Sequence, residues 1–199
     1  LQGRDIILLD QRGTGFSTPN LSCPEVDAFA AGEETAYETT VEAATACRDR
    51  LVGAGVDLAQ YHSAASAADV EDLRQALQIN QWNLYGVSYG TRLALTVMRD
   101  FPDGVRSVIL DSSYPPNVDG YTEDPLNSIR AIETLLDGCT ADAACGEAFP
   151  DLKKRFYQVV ADLNETPVEI DGYATTGDEL VVFLFDSMYD TEMIPYLPL

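Results

Sequence analysis

The chain has 199 residues, enough for one domain or for one and a part, and 46% of them are hydrophobic, which supplies a core and excludes wholesale disorder. With 33 acidic against 12 basic residues the net charge is −21, which excludes a nucleic-acid-binding surface, because phosphate requires a basic stripe. No apolar run of about 18 residues is present, so no membrane span is predicted.

Residues 5–10 (Asp-Ile-Ile-Leu-Leu-Asp) form a continuous apolar run, the pattern of a strand buried on both faces of a parallel sheet. A Gly-punctuated loop follows from Asp10 to Ser17; after Gly13 and Gly15 no third glycine falls where a dinucleotide or phosphate loop needs it. Residues 18–37 are rich in Pro, Gly and Glu and read as irregular surface. Helices are expected over 41–52 and 63–79, the second with Ala67, Val70, Leu73 and Leu77 on one face. A strand over 82–87, a helix from 91 to 101 stopped by Pro102-Asp103-Gly104, and a buried strand over 105–110 ending at Asp111 complete an alternation that predicts an α/β fold with a parallel sheet. Beyond Pro115-Pro116 the character changes, and helices are expected over 125–137, 150–163 and 176–189. The chain thus divides into an α/β part, 1–116, and a helical part, 117–199.

The four cysteines, Cys23, Cys47, Cys139 and Cys145, lack metal-ligand spacing, and no histidine lies near them. Their local pairing suggests disulfides Cys23–Cys47 and Cys139–Cys145, although three connectivities are formally possible and four buried free thiols are the alternative. Disulfides would place the protein in an oxidising compartment. No cofactor or metal is called for, and the oligomeric state is not legible.

Gly86-Val87-Ser88-Tyr89-Gly90 carries the most chemistry. By composition a G-x-S-x-G arises in a chain this long roughly one time in twenty, so the bare pattern decides little. Its context decides more: an apolar strand leads in and a helical pattern leads out, as a serine held on a tight strand-to-helix turn requires. Such a turn presents Ser88 to a base and an oxyanion site, and small residues two before and two after let neighbouring backbone pass close. The following helix aims its leading amides at the same spot, which makes the N–H of Tyr89 a candidate oxyanion donor. Tyr85 and Tyr89 flank the turn. Asp10 and Arg12, at the end of the first expected strand, are expected to brace the surrounding loops as a charged pair. Arg92 is expected to bond loop carbonyls or carboxylates, and Asp111 to serve a structural role at the sheet end. His62, the single histidine, reads as a surface or helix-start residue.

Together these residues resemble the α/β-hydrolase superfamily, and within it the proline iminopeptidase group and the secreted tripeptidyl-aminopeptidase-like serine hydrolases. The resemblance rests on Asp10 to Ser17, on Ala68 to Arg74, on Gly86 to Arg92, on Leu110-Asp111 with Pro115-Pro116, and on Cys139 to Cys145 followed by Phe149-Pro150. It implies a mostly parallel α/β-hydrolase-type sheet, present in part, Ser88 as nucleophile, Tyr89 as one oxyanion donor, the start of an inserted helical cap from about residue 117, peptide N-termini as substrates, and export from the cytoplasm. In this fold the nucleophile is followed by an acid and then a histidine, and no histidine follows Ser88. The acid of the resembled group comes after the cap, and the segment giving the second oxyanion donor precedes the strand ending at Asp10. Residues 1–199 are therefore expected to be an internal piece that is inactive by itself. An esterase or other acyl hydrolase fits the same residues, as does a non-catalytic hydrolase-like binding module.

Overall fold

A capping side chain explains where most of the helices begin. The computed structural model describes residues 3–32, 35–170 and 172–198. Helix α1 (Pro24–Ala30) lies in the stretch expected to be irregular; Pro24 stands in its first turn, where the missing N–H costs nothing, and Glu25 and Asp27 complement the helix dipole. Helix α2 (Thr40–Gly53) is capped by Thr39, whose hydroxyl accepts from the Glu42 N–H at 3.2 Å, while the Glu42 carboxylate accepts from the Glu38 N–H at 2.7 Å. Its inner face carries Ala43, Cys47 and Leu51. Cys47 is joined to Cys23 by a disulfide with Cα atoms 5.4 Å apart, and Arg50 adds an ion pair to Glu25 at 2.6 Å, so α1 is tied twice to α2.

Helix α3 (Ser63–Ala76) is capped by His62 and stops three residues earlier than its apolar pattern suggests. Gln78 adopts φ 57°, and the Arg74 guanidinium donates to the carbonyls of Ile79 and Asn80, which closes the helix. The same guanidinium grips Glu71 through two hydrogen bonds of 2.6 and 2.8 Å. Arg74, with help from the Gln75 amide, holds the Glu71 carboxyl down at about 2.

Strands β1 (Trp82–Val87) and β2 (Val105–Asp111) pair in parallel, in register from Asn83 opposite Ser107 to Val87 opposite Asp111. Helix α4 (Tyr89–Asp100) returns across one face. There Ala67 and Val70 of α3 meet Leu93 and Val97 of α4, with Trp82, Leu84, Phe101 and Val105 against them. Each large side chain buried in this way contributes about 1.5–3 kcal/mol. The Trp82 indole N–H is buried in this packing without a hydrogen-bond partner among the described residues.

Two strand expectations need correction. Residues 5–10 form no strand: none of the described segments pairs with them, and Leu8 is 92% exposed. A ladder takes two partners, and apolar character alone does not provide the second. Strand β2 is covered on one face only; the opposite face of the pair exposes Tyr85, Val87 and Ile109.

The chain forms two compact units, Leu1–Asn117 and Val118–Leu199. In the second, α5 (Gly120–Ala141) extends beyond the expected 125–137 on both sides, with Asp119 as its cap and Pro125 inside it. The short α6 (Ala143–Ala148), not expected, starts where Asp142 accepts from the N–H groups of Ala144 and Cys145 at 3.0 and 2.8 Å. A disulfide joins Cys139 of α5 to Cys145 of α6. Helix α7 (Leu152–Glu165) leads into an antiparallel hairpin, β3 (Val168–Ile170) and β4 (Tyr173–Thr175), which the sequence reading missed. Helix α8 (Gly177–Ser187) follows, opened by a reciprocal capping box between Thr176 and Glu179. A Cβ on Gly177 would run into the Val160 carbonyl, so α7 and α8 touch backbone to backbone. Ile132, Leu136 and Leu184 form the core of this unit. No described helix is long and apolar enough to cross a membrane.

Replacing Cys23 and Cys47 by serine is expected to lower stability by about 3 kcal/mol, read by urea denaturation. Glu71 has a depressed folded-state pKa, so its contribution is complete above its unfolded value near 4.5 and is lost as pH falls towards 2. Glu71→Gln should therefore reduce stability at pH 7 and flatten the acid limb between those values, measured by denaturation across pH.

Candidate active site

At the carboxyl end of β1 the chain must turn from strand to helix within one residue. Ser88 makes that turn at φ 52°, ψ −120°, a conformation that L side chains seldom adopt. The turn is tight enough that a Cβ on Gly86 would collide with the carbonyl group of Gly90 and lie 2.8 Å from the Thr91 nitrogen. Gly90 is different: a Cβ there meets no atom within 4 Å, so the expected need for small residues on both sides holds for Gly86 alone.

Hydrogen bonds hold the turn from both sides. The Ser88 N–H donates to the Asp111 carbonyl at 3.0 Å, extending the parallel ladder by one step. The Ser88 carbonyl accepts from the Thr91 N–H at 2.9 Å and from the Thr91 hydroxyl at 2.7 Å. Ser88 is exposed, and Tyr89 opens α4, where the leading amides have no intrahelical partner. The Tyr89 hydroxyl lies 2.9 Å from the Ser63 hydroxyl at the start of α3.

Asp111 accepts from the Tyr85 hydroxyl at 3.0 Å, and this bond to a carboxylate pushes the Tyr85 phenol up. Its backbone holds Ser88, so it sits against the turn. Arg92 donates to the carbonyls of Pro115 and Pro116, both at 3.3 Å, and lies 4.8 Å from the centre of the Tyr114 ring. Loop carbonyls or carboxylates were the partners expected for it, and the groups it meets on Pro115 and Pro116 are carbonyls.

Asp10 and Arg12 each brace something different. Arg12 forms a two-pronged pair with Asp69 of α3, both contacts 2.6 Å, and donates to the Gln60 carbonyl at 2.8 Å. Asp69 holds the Arg12 guanidinium above its ordinary range. Asp10 accepts from the Phe16 N–H at 2.8 Å, and its carboxylate fills the space a side chain on Gly15 would need. Both line a cleft of about 540 Å³ with Tyr61 and Ser66, and Ser88 is not among its walls. His62 accepts from the Ala65 N–H at 3.2 Å through Nδ1, which commits it to capping α3. Among the described residues no group of three or more His, Cys, Asp or Glu is placed to hold a metal ion.

Three residues of this neighbourhood went unnoticed in the sequence: Ser63, Thr91 and Tyr114. None of the three carried a distinguishing signal: Thr91 is one of two hydroxyls, with Thr96, on the buried face of α4. The arrangement as a whole offers an exposed serine hydroxyl on a turn pinned at both peptide groups, beside the amino end of a helix. From the clearances, Gly86→Ala is expected to cost at least about 2 kcal/mol. Gly90→Ala should be neutral or stabilising by up to about 1 kcal/mol, both read by urea denaturation.

The model of the alpha/beta hydrolase fold matches residues 1–138. Serine protease Hip1 of Mycobacterium tuberculosis is 28% identical over 158 residues, covering 73% of this chain and 30% of that protein. The putative hydrolase YuaR of Escherichia coli is 24% identical over 188 residues, 89% of this chain and 37% of its own length. Tripeptidyl aminopeptidase of Streptomyces lividans is 31% identical over 127 residues, 58% of this chain and 23% of its own. The chain thus spans well under half the length of these relatives. A parallel strand pair, a serine on the strand-to-helix turn and a family match over more than half the residues agree: the chain belongs to the α/β-hydrolase fold family.

Proposed function

We propose that Ser88 is the nucleophile of a serine hydrolase that removes residues from peptide N-termini. The observation that carries this reading is the backbone of Ser88, φ 52° and ψ −120°, at a strand-to-helix junction where Gly86 leaves no room for a side chain. A strained, exposed serine is a poor choice for packing and a good one for attack.

In the proposed reaction Ser88 Oγ attacks the substrate carbonyl carbon and its proton passes to a histidine base. The carbonyl π electrons move to oxygen, and the Tyr89 N–H stabilises that oxyanion at the positive end of α4. Collapse breaks the C–N bond, and the base returns the proton to the leaving amine. Water then repeats the sequence on the acyl-enzyme, releasing the acid and restoring Ser88. His62 is occupied as the cap of α3, so the base is a histidine from outside these residues.

Peptide substrates are supported by relatives named serine protease and tripeptidyl aminopeptidase. The helical unit after residue 117 is the natural candidate for a cap that selects the peptide, and two disulfides favour an exported protein. In the full-length protein, Ser88→Ala should abolish fluorophosphonate labelling and lower turnover of a tripeptide nitroanilide at least about 1,000-fold. Near-normal turnover would remove Ser88 from the mechanism. Residues 1–199 by themselves should not hydrolyse p-nitrophenyl acetate.

A further inference from the structure

One buried hydroxyl connects the Ser88 turn to the segment that follows β2. Thr91 is fully buried, and its Oγ1 makes two hydrogen bonds at once. It donates to the Ser88 carbonyl at 2.7 Å and accepts from the Tyr114 N–H at 2.7 Å. A threonine hydroxyl has one proton and two lone pairs, so both bonds form without competition, and exclusion of water strengthens each.

Thr96 shows what a buried threonine of this helix does otherwise. It is nearly as buried as Thr91, but its hydroxyl makes the ordinary bond to the carbonyl four residues back, that of Arg92, at 2.8 Å. Thr91 instead reaches the residue that precedes the helix and a second segment of chain. Neighbouring contacts bind the same segment: Arg92 donates to Pro115 and Pro116, and its guanidinium lies beside the Tyr114 ring. Ser88 is thus fastened by its N–H to Asp111 and, through Thr91, by its C=O to Tyr114. A non-glycine residue at positive φ persists where its surroundings over-determine it.

We propose that Thr91 is a positioning residue whose two-way hydroxyl bridge to Tyr114 sets the placement of the Ser88 hydroxyl. This rests on Ser88 being the nucleophile. Loss of the bridge lets the turn relax towards ordinary backbone angles, and small misplacements of a reacting group are costly in rate.

The test uses the full-length protein with Thr91→Val, Thr91→Ser and Thr96→Val. Two readouts are taken: hydrogen exchange at the Tyr114 amide and the rate of fluorophosphonate labelling. In Thr91→Val the Tyr114 amide is expected to exchange at least about tenfold faster and labelling to slow at least about tenfold, by kcat rather than KM in turnover assays. Thr91→Ser should restore both to within about twofold, and Thr96→Val should leave labelling unchanged. Unchanged labelling in Thr91→Val, or no rescue by Thr91→Ser, overturns the proposal. If Thr91→Val does not fold, the parent protein still decides: Tyr114 must exchange at least about tenfold more slowly than Ser113, and equal rates overturn the bridge. Labelling that survives in Ser88→Ala removes the nucleophile and the positioning role together. Labelling lost in Ser88→Ala but undiminished in Thr91→Val removes only the role of Thr91.

Discussion

The constraint on which the site depends is the close approach of the Gly86 backbone to that of Gly90 and Thr91. Nothing larger than hydrogen fits on Gly86, and from that follow the tightness of the turn, the positive φ of Ser88 and the start of α4 one residue later. The direction of α4 in turn lays Leu93 and Val97 over the sheet and brings α3 against it. Strain at Ser88 is thus held by a steric limit below it and by hydrogen bonds on either side, not by the serine side chain, whose hydroxyl makes no hydrogen bond among the described residues.

The remainder of the first unit supports this turn indirectly. Arg12 reaches from the Gly-rich loop to Asp69 on α3, and Arg74 at the far end of α3 closes on Glu71 and on the loop before β1. Helix α3 is therefore held by guanidinium groups at its middle and its carboxyl end, and its first turn also meets Tyr89 through Ser63. The bidentate shape of arginine suits such tasks better than lysine would. It is consistent with a chain whose only lysines are Lys153 and Lys154.

Much of the site was legible in the sequence because its signals are local. The glycine two before Ser88, the apolar lead-in and the helical exit are properties of neighbouring residues, and the two cysteine pairs close short stretches of chain. Residues 5–10 misled for the opposite reason: an apolar run records what could be buried, while a strand depends on a partner elsewhere. Helix α1 was hidden because residues 18–37, rich in Pro, Gly and Glu, read as irregular by composition, although Pro in the first turn favours a helix. The β3–β4 hairpin carried an Asp-Gly pair at 171–172 between alternating residues, a usable signal that was passed over. The Thr91 bridge had no such marker, since its second partner lies 23 positions away.

The chain has a single tryptophan, and Trp82 lies in the core shared by α3, α4 and the parallel strands. Its emission, excited selectively at the red edge, is therefore an optical property of the first unit alone. The second unit contains the longest helix, α5, and no indole, so it contributes to circular dichroism while staying dark in that channel. Fluorescence follows one core while circular dichroism follows the helices of both, so a difference between their melting curves would resolve one unit's cooperativity from the other's.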